Sequence, residues 1–550
     1  MHPAHWLIDL LKTAVEPLAP DFLSIVAIER PKHIEHGDYA TNIAMLLARE
    51  LKQKPQIIAQ RIIEGIAADV RLSDVSMAGP GFINIRLSST ERQNVISRVL
   101  QQGENYGRCY DEESGKLAVQ PVKVIVEYVS ANPTGPLHVG HGRAAAVGEG
   151  IATLLEWQGY SVCREFYYND AGVQIENLAR SVQARVRQLK EPSLVFPEDG
   201  YHGDYIKEIS ESYLKDNPDD VQGNAFNSIK NHAVTALRKE QDQDLKVFGI
   251  RFDHYYLESS LYTDGKVEAT IARLTEQGHT YEYEGALWLK TTQWGDDKDR
   301  VMRKSDGTYT YFVPDIAYHV TKWERGYTRA ITELGADHHG SIQRVRAGLQ
   351  AMGLGIAEGY PDYVLHQMVT VLRGGEEVKI SKRAGGYVTV RDLINEVGRD
   401  AVRFFFLMRK HDSQLIFDID LAVSKSEENP VYYVQYAYAR ICSVLRNSGT
   451  QKILSDIDLS PLVQETERRL LLLLEDFPIL LEHAAEQSLP HLVAFYLKDV
   501  AAAFHSYYND QKVLVEETEL RLARLALLQA AAQVLKNGLG LMGVSAPESM

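Results

Sequence analysis

The sequence predicts an α/β protein, with a parallel sheet at its centre, a small α+β domain before it and an all-helical domain after it. Three observations carry this. An apolar, β-branched run at 122–129, broken only by Lys123 and Glu127, leads through a Gly- and Pro-bearing turn into an alanine- and leucine-rich stretch at 142–157. Strand, loop and helix in that order build parallel sheets. Strand and helix patterns then alternate as far as about residue 400, and from about 404 helical periodicity takes over.

Residues 1–110 read as the first domain. Trp6, Leu7, Leu10, Leu11 and Val15 have helical spacing, so the first 16 residues form a helix. A strand follows at 22–29, a helix at 39–51 and another at 57–67, with Pro55 near its start. Gly79-Pro80-Gly81 turns one strand into a second at 82–85.

The central unit is expected over 118–405. After the strand at 122–129 and the helix at 142–157 come a strand at 162–168 and a helix at 173–189. Residues 190–245 are polar and form a small insertion, taken to extend across about 190–280. Strands at 286–289, 309–312, 329–334 and 363–371 then alternate with helices at 316–325 and 341–352. The last unit, 406–550, carries helices at 428–447, 461–481, 489–507 and 517–537. A further helix is expected at 403–410, across the boundary.

With 550 residues, a formal charge of -15, 45% apolar and 24% charged residues, the composition is that of a multidomain globular protein. The acidic balance argues against indiscriminate polyanion binding but leaves room for RNA held by local basic patches. Cys109, Cys163 and Cys442 stand far apart, which disfavours a disulfide framework or a cysteine zinc site and suits the cytoplasm. The start lacks the basic-then-apolar order of a signal peptide, and no apolar run reaches a membrane-spanning length.

The chemistry concentrates in the turn after 122–129. His138 and His141 lie three apart at a helix start, with Gly140 between them. Unpaired N–H groups and the helix dipole make such a start a place for phosphate. Gly140 would let a flat ring such as adenine approach the backbone. Far along the chain, Lys379-Ile380-Ser381-Lys382-Arg383 supplies two ammonium groups and a hydroxyl, with Gly385-Gly386 just beyond. Read alone, the first motif is a capped strand-to-helix turn and the second a solvated basic loop. Their order, with the second ahead of a helical domain, favours an ATP site built from both halves.

The pair resembles the two signatures of class I aminoacyl-tRNA synthetases, and the details resemble the bacterial arginyl-tRNA synthetase family over nearly the whole chain. The resemblance weakens across 190–280, and Arg383 stands where many class I enzymes have Ser. It implies a Rossmann-like catalytic core and ATP-dependent joining of L-arginine to tRNA(Arg), with Mg²⁺ carried on ATP and no protein-built metal site. His138, His141, Lys379 and Lys382 would be catalytic, and ATP would be bound by these residues with Pro136, Gly140 and Ser381. It also brings the expectations that the protein is a monomer and that activation depends on bound tRNA.

For the amino acid, Glu127, Asn132, Tyr311, Asp315 and His339 are the candidates. A guanidinium asks for a carboxylate presented edge-on and accepts an aromatic face beside it. Glu127 can also be a strand-end loop cap and Asp315 a helix cap, and the roles of His338 and His339 stay open. For tRNA, the resemblance makes 406–550 an anticodon-binding domain and sets the first domain, through Asn42, on the outer corner. Tyr432, Tyr436, Arg440 and Arg446 form an aromatic and basic strip fit to stack on bases and meet phosphates. Two other readings stand beside this one: a different class I ligase, and a catalytically silent relative that binds tRNA or a partner protein.

Overall fold

The computed structural model describes residues 2–31, 33–110, 116–170, 172–378, 386–449, 452 and 454–550. Five strands form the central sheet: β1 (Lys123–Glu127), β2 (Ser161–Tyr168), β3 (His254–Leu257), β4 (Arg329–Gly335) and β5 (Asp362–His366). Their order is β3-β2-β1-β4-β5, and every neighbouring pair is parallel. The chain winds outward from β1 in one direction and returns to β4 on the other side. A crevice therefore opens at the carboxyl ends of β1 and β4, where such sheets bind ligands.

The apolar run of β1 follows from burial on both faces. Val124 and Val126 enter one apolar cluster and Ile125 the other. Helix α1 (Val139–Trp157) runs back along the sheet from β1. Gly148 lets it approach, because a Cβ there would sit 2.2 Å from Cγ of Tyr128. Helix α2 (Phe312–Glu324) precedes β4.

Several expected elements differ. Residues 309–312 are no strand: Tyr309 makes a lone bridge to Arg303, and Phe312 opens α2. Ala286–Leu289 is a strand, but of a separate antiparallel sheet with Thr280–Tyr283 and Arg300–Arg303. The stretch 363–371 splits between β5 and Val369–Arg373, and the latter pairs in parallel with Leu415–Asp418. β3 was missed because it is an edge strand whose HYYL sequence is half exposed, so no apolar run marks it.

In the first domain, Pro20–Ile25 is a 3₁₀ turn rather than a strand. Tyr39–Thr41 is a short buried strand paired with Phe82–Leu87, and only Ile43–Leu47 continues as helix. The polar stretch after 190 holds helices Asp204–Asp216 and Phe226–Phe248, which pack with Val173–Gln188 around Leu178, Val182, Tyr213 and Leu237. Four long helices, Pro430–Asn447, Glu465–Glu486, His491–Asp510 and Thr518–Leu541, close the chain as a bundle. The first domain docks on this bundle through Arg30 with Glu475 and Asp476, and through Asp38 with Arg468.

Candidate active site

Beyond β1 the chain turns sharply, with Val129 at φ 67° and Ser130 at φ 41°. Left-handed backbone at a β-branched valine is strained. Ser130 holds the turn: its hydroxyl donates to Glu127 Oε1 at 3.1 Å and accepts from the Tyr167 N–H at 3.2 Å. Gln241 supports the next stretch, donating to the carbonyls of Asn132 and Gly135.

His138 caps α1. Its Nδ1 accepts from the His141 N–H at 3.2 Å, while Nδ1 of His141 accepts from the His138 N–H at 3.3 Å. The rings stack at 3.6 Å between centroids. With both Nδ1 atoms accepting, each neutral ring carries its proton on Nε2, the atom left to donate to a phosphate oxygen. Burial, with His366 adding, pushes His138 down to about 4. Burial and the neighbouring His138 lower His141 well below the ordinary value. Gly140 is required by the stacking, since a Cβ there would lie 2.8 Å from Cε1 of His138.

Lys379, Ser381 and Lys382 lie outside the described residues. The segments flanking them are fixed. Val139 N–H donates to the Val388 carbonyl at 3.1 Å, Val390 N–H donates to the Leu137 carbonyl at 2.9 Å, and Val378 N–H donates to the Val371 carbonyl at 2.9 Å. The chain that leaves the lysine motif is thus hydrogen-bonded to the turn carrying His138. Pro136 is buried outside the cleft lining, and its carbonyl accepts from the Tyr387 hydroxyl at 3.0 Å.

A cleft of about 1300 Å³ opens here, lined by Glu127, Asn132, His138, Gly140, His141, Tyr311 and Asp315 among others. His338 lines it and His339 does not. Tyr311 stands at the rim, 72% exposed. Asn132 donates to Oε1 of Gln174 at 2.6 Å. Glu127, expected to reinforce the guanidinium contact or to hold the α-amino group, has its Oε2 engaged: it accepts from the buried Lys322 ammonium at 2.6 Å and from the Thr332 hydroxyl at 3.2 Å.

Asp315 differs. Its carboxylate has no hydrogen-bond partner among the described residues, and burial, with Glu258 and Glu127 adding against the opposing Arg344, lifts it to about 7. Glu258 also lines the cleft and is raised by burial, opposed by a hydrogen bond to Tyr167. Sequence reading missed Glu258, which directly follows the unrecognised β3. It also missed Tyr167, Arg344, His319 and the hydrogen-bonded pair Glu333–His366, all in the lining. A period-of-three-and-four reading from Asp315 would have found Tyr318, His319 and Lys322 on one face of α2.

The tyrosines at 432–438 divide. Tyr438 is buried and Tyr433 packs on His505. Tyr432 and Tyr436 are half exposed, their rings parallel within 7° at 5.9 Å. Arg440 donates to the Tyr436 hydroxyl at 2.9 Å and lies over the Tyr508 ring. Arg446 is engaged with the Glu548 carbonyl at 3.0 Å. Asn42 is exposed at the start of Ile43–Leu47.

A sheet of this order, with a histidine-capped helix at its switch point, defines the catalytic unit of a class I tRNA synthetase. Residues 109–420 match the family described as tRNA synthetases class I (R), catalytic domain. Residues 5–87 match the arginyl tRNA synthetase N terminal domain, and 434–550 the DALR anticodon binding domain. The arginine--tRNA ligase of Herminiimonas arsenicoxydans is 53% identical over 98% of both chains, and that of Methylibium petroleiphilum 54% identical over 99% of both. The fold matches Thermus thermophilus arginyl-tRNA synthetase at a TM-score of 0.79 and 24% identity, covering 100% of each chain. The chain belongs to the arginyl-tRNA synthetase family.

Proposed function

We infer that this chain ligates L-arginine to tRNA(Arg) in two steps, through an arginyl-adenylate, releasing diphosphate and then AMP. The observation that carries this reading is the pair Asp315 and Glu258, two carboxylates lining the cleft and both raised by desolvation, with no hydrogen-bond partner for Asp315 among the described residues. A guanidinium offers the fork of donors such a pair lacks. A lysine ammonium would leave acceptors unpaired in a dry site, so discrimination needs no proofreading. Asn132, Glu127 and His338 border the path of the backbone end of arginine, with Tyr311 at the rim.

In the first step a carboxylate oxygen of arginine attacks the α-phosphorus of ATP and diphosphate leaves. The chain aligns the two and offsets charge on the phosphates. His138 and His141 supply Nε2–H donors at the positively polarised start of α1. Lys379, Ser381 and Lys382 are assigned to the phosphates from the other side, which the anchoring of 388–390 at the His138 turn supports. ATP enters as its Mg²⁺ complex, and adenine lies over Gly140. In the second step a terminal ribose hydroxyl of tRNA attacks the arginyl carbonyl, and AMP departs. Tyr432, Tyr436 and Arg440 are assigned to anticodon bases and phosphates, with Arg446 nearby, and Asn42 to the outer corner of the tRNA.

We assign the protein to the cytoplasm as a monomer; none of its three cysteines forms a disulfide, as in reducing compartments. Among the described residues no helix is long and apolar enough to cross a membrane. The test is exchange of labelled diphosphate into ATP, screened over all amino acids with and without tRNA. Exchange with arginine alone, in the presence of tRNA, is expected. Exchange driven by another amino acid would overturn the arginine pocket, and no exchange from folded protein would favour a silent tRNA-binding relative.

A further inference from the structure

Lys322 lies fully buried on α2, two turns beyond Asp315. Its ammonium is 2.6 Å from Glu127 Oε2 and 3.3 Å from the Thr332 hydroxyl, and it rests 4.3 Å above the Tyr318 ring. Thr332 on β4 is the register partner of Glu127 on β1, so the lysine bridges the two strands at the switch point itself. Every group around Glu127 is then fixed. Oε2 takes Lys322 and Thr332, and Oε1 takes the Ser130 hydroxyl that holds the left-handed turn leading to Asn132.

We propose that Lys322 is a positioning residue for arginine binding: it locks and neutralises Glu127, so that the turn to Asn132 keeps its shape and the guanidinium is left to Asp315 and Glu258. This rests on the reading that arginine occupies this cleft. Glu127, Glu258 and Asp315 all line the cleft, and Glu258 and Glu127 both act on Asp315; three uncompensated charges there would repel one another. The built-in cation removes one from that group. Glu127 becomes a fixed acceptor of geometry rather than a mobile third charge able to draw the substrate out of register. Lys322 is buried behind the cleft and is not part of its lining, so its influence should be confined to the amino acid.

The test is steady-state aminoacylation by Lys322→Met, Glu127→Gln, the double variant and Asp315→Asn, with arginine and ATP varied separately. Removing one partner of a buried pair has a large effect, so Lys322→Met should raise the arginine KM by about tenfold or more while the ATP KM stays within about twofold. The double variant should be no worse than Glu127→Gln alone, because the lysine acts through that carboxylate and its removal there also takes away an unpaired buried charge. An arginine KM unmoved in Lys322→Met, or losses that multiply in the double variant, would overturn the proposal. If Lys322→Met does not fold, the comparison of the double variant with Glu127→Gln decides: an arginine KM no higher in the double variant upholds the proposal and a further tenfold rise refutes it. Asp315→Asn separates the two layers of argument. An arginine KM unchanged there removes the reading of the cleft, and the proposal with it. A raised one beside a silent Lys322→Met removes the role of Lys322 alone.

Discussion

His138 and His141 cap each other's backbone, each Nδ1 accepting the other's N–H within 3.3 Å while the two rings stack. The reciprocity fixes both tautomers and turns two titratable side chains into neutral donors. Because His138 is lowered to about 4 from an ordinary 6.5, and His141 is also lowered, neither should ionise near neutrality. The diphosphate exchange rate should therefore show no inflection from this pair between about pH 6 and 8. Stability carries the opposite signature. The unfolded imidazoles bind protons below about 6.5 and the folded ones do not, so the contribution of the pair is complete above that pH and is lost as pH falls toward 4. Chemical denaturation across that range measures it.

Gly140→Ala should break the pair. The new Cβ would lie 2.8 Å from Cε1 and 2.9 Å from Nδ1 of the His138 ring, forcing the rings apart. Loss of preorganised donors at a charged transition state costs about 100-fold or more in rate. Diphosphate exchange should fall by that order while the melting temperature moves little, because the site lies at the end of α1.

Asp315→Asn should weaken arginine binding by tens-fold, on the order of 2 kcal/mol, as a charge-assisted acceptor becomes a neutral amide. Calorimetric titration of arginine measures it directly. An unchanged affinity would remove Asp315 from the guanidinium site.

Tyr436→Ala should raise the KM for tRNA by about tenfold or more, the worth of one stacked base, with the arginine KM unaffected. The half-exposed ring beside Tyr432 and under Arg440 motivates this. Comparable KM values for tRNA in variant and parent would argue that these rings serve the bundle and not the nucleic acid.

Arg30→Met tests the seam between the first domain and the bundle. Glu475 is 2% exposed there and meets Arg30 at 2.5 Å. Arg30 itself is 25% exposed, so water offsets part of the loss and the expected destabilisation is about 2–3 kcal/mol. Guanidinium denaturation measures it, and a stability equal to the parent's would mean that the first domain is held by other contacts.

What was legible in the sequence follows physical rules. β1 and the helix behind it stood out because burial on both faces leaves Val124, Ile125 and Val126 in one run. The histidine turn and the C-terminal helices were plain for similar reasons of spacing. β3 was not: an edge strand of tyrosines with a half-exposed face carries no apolar period, and Glu258 was lost with it. Tyr309–Phe312 misled because aromatic residues favour strands, whereas Pro314 suits the first turn of a helix. The pairing of Glu127 with Lys322 is a contact between residues 195 apart, which no local pattern announces.

The most direct test of the central claim is charging of tRNA by the intact chain, with each labelled amino acid supplied in turn. The account predicts stable ester formation with arginine, abolished without ATP and reduced tens-fold by Asp315→Asn. Charging with a different amino acid, or arginine charging indifferent to Asp315, would contradict it.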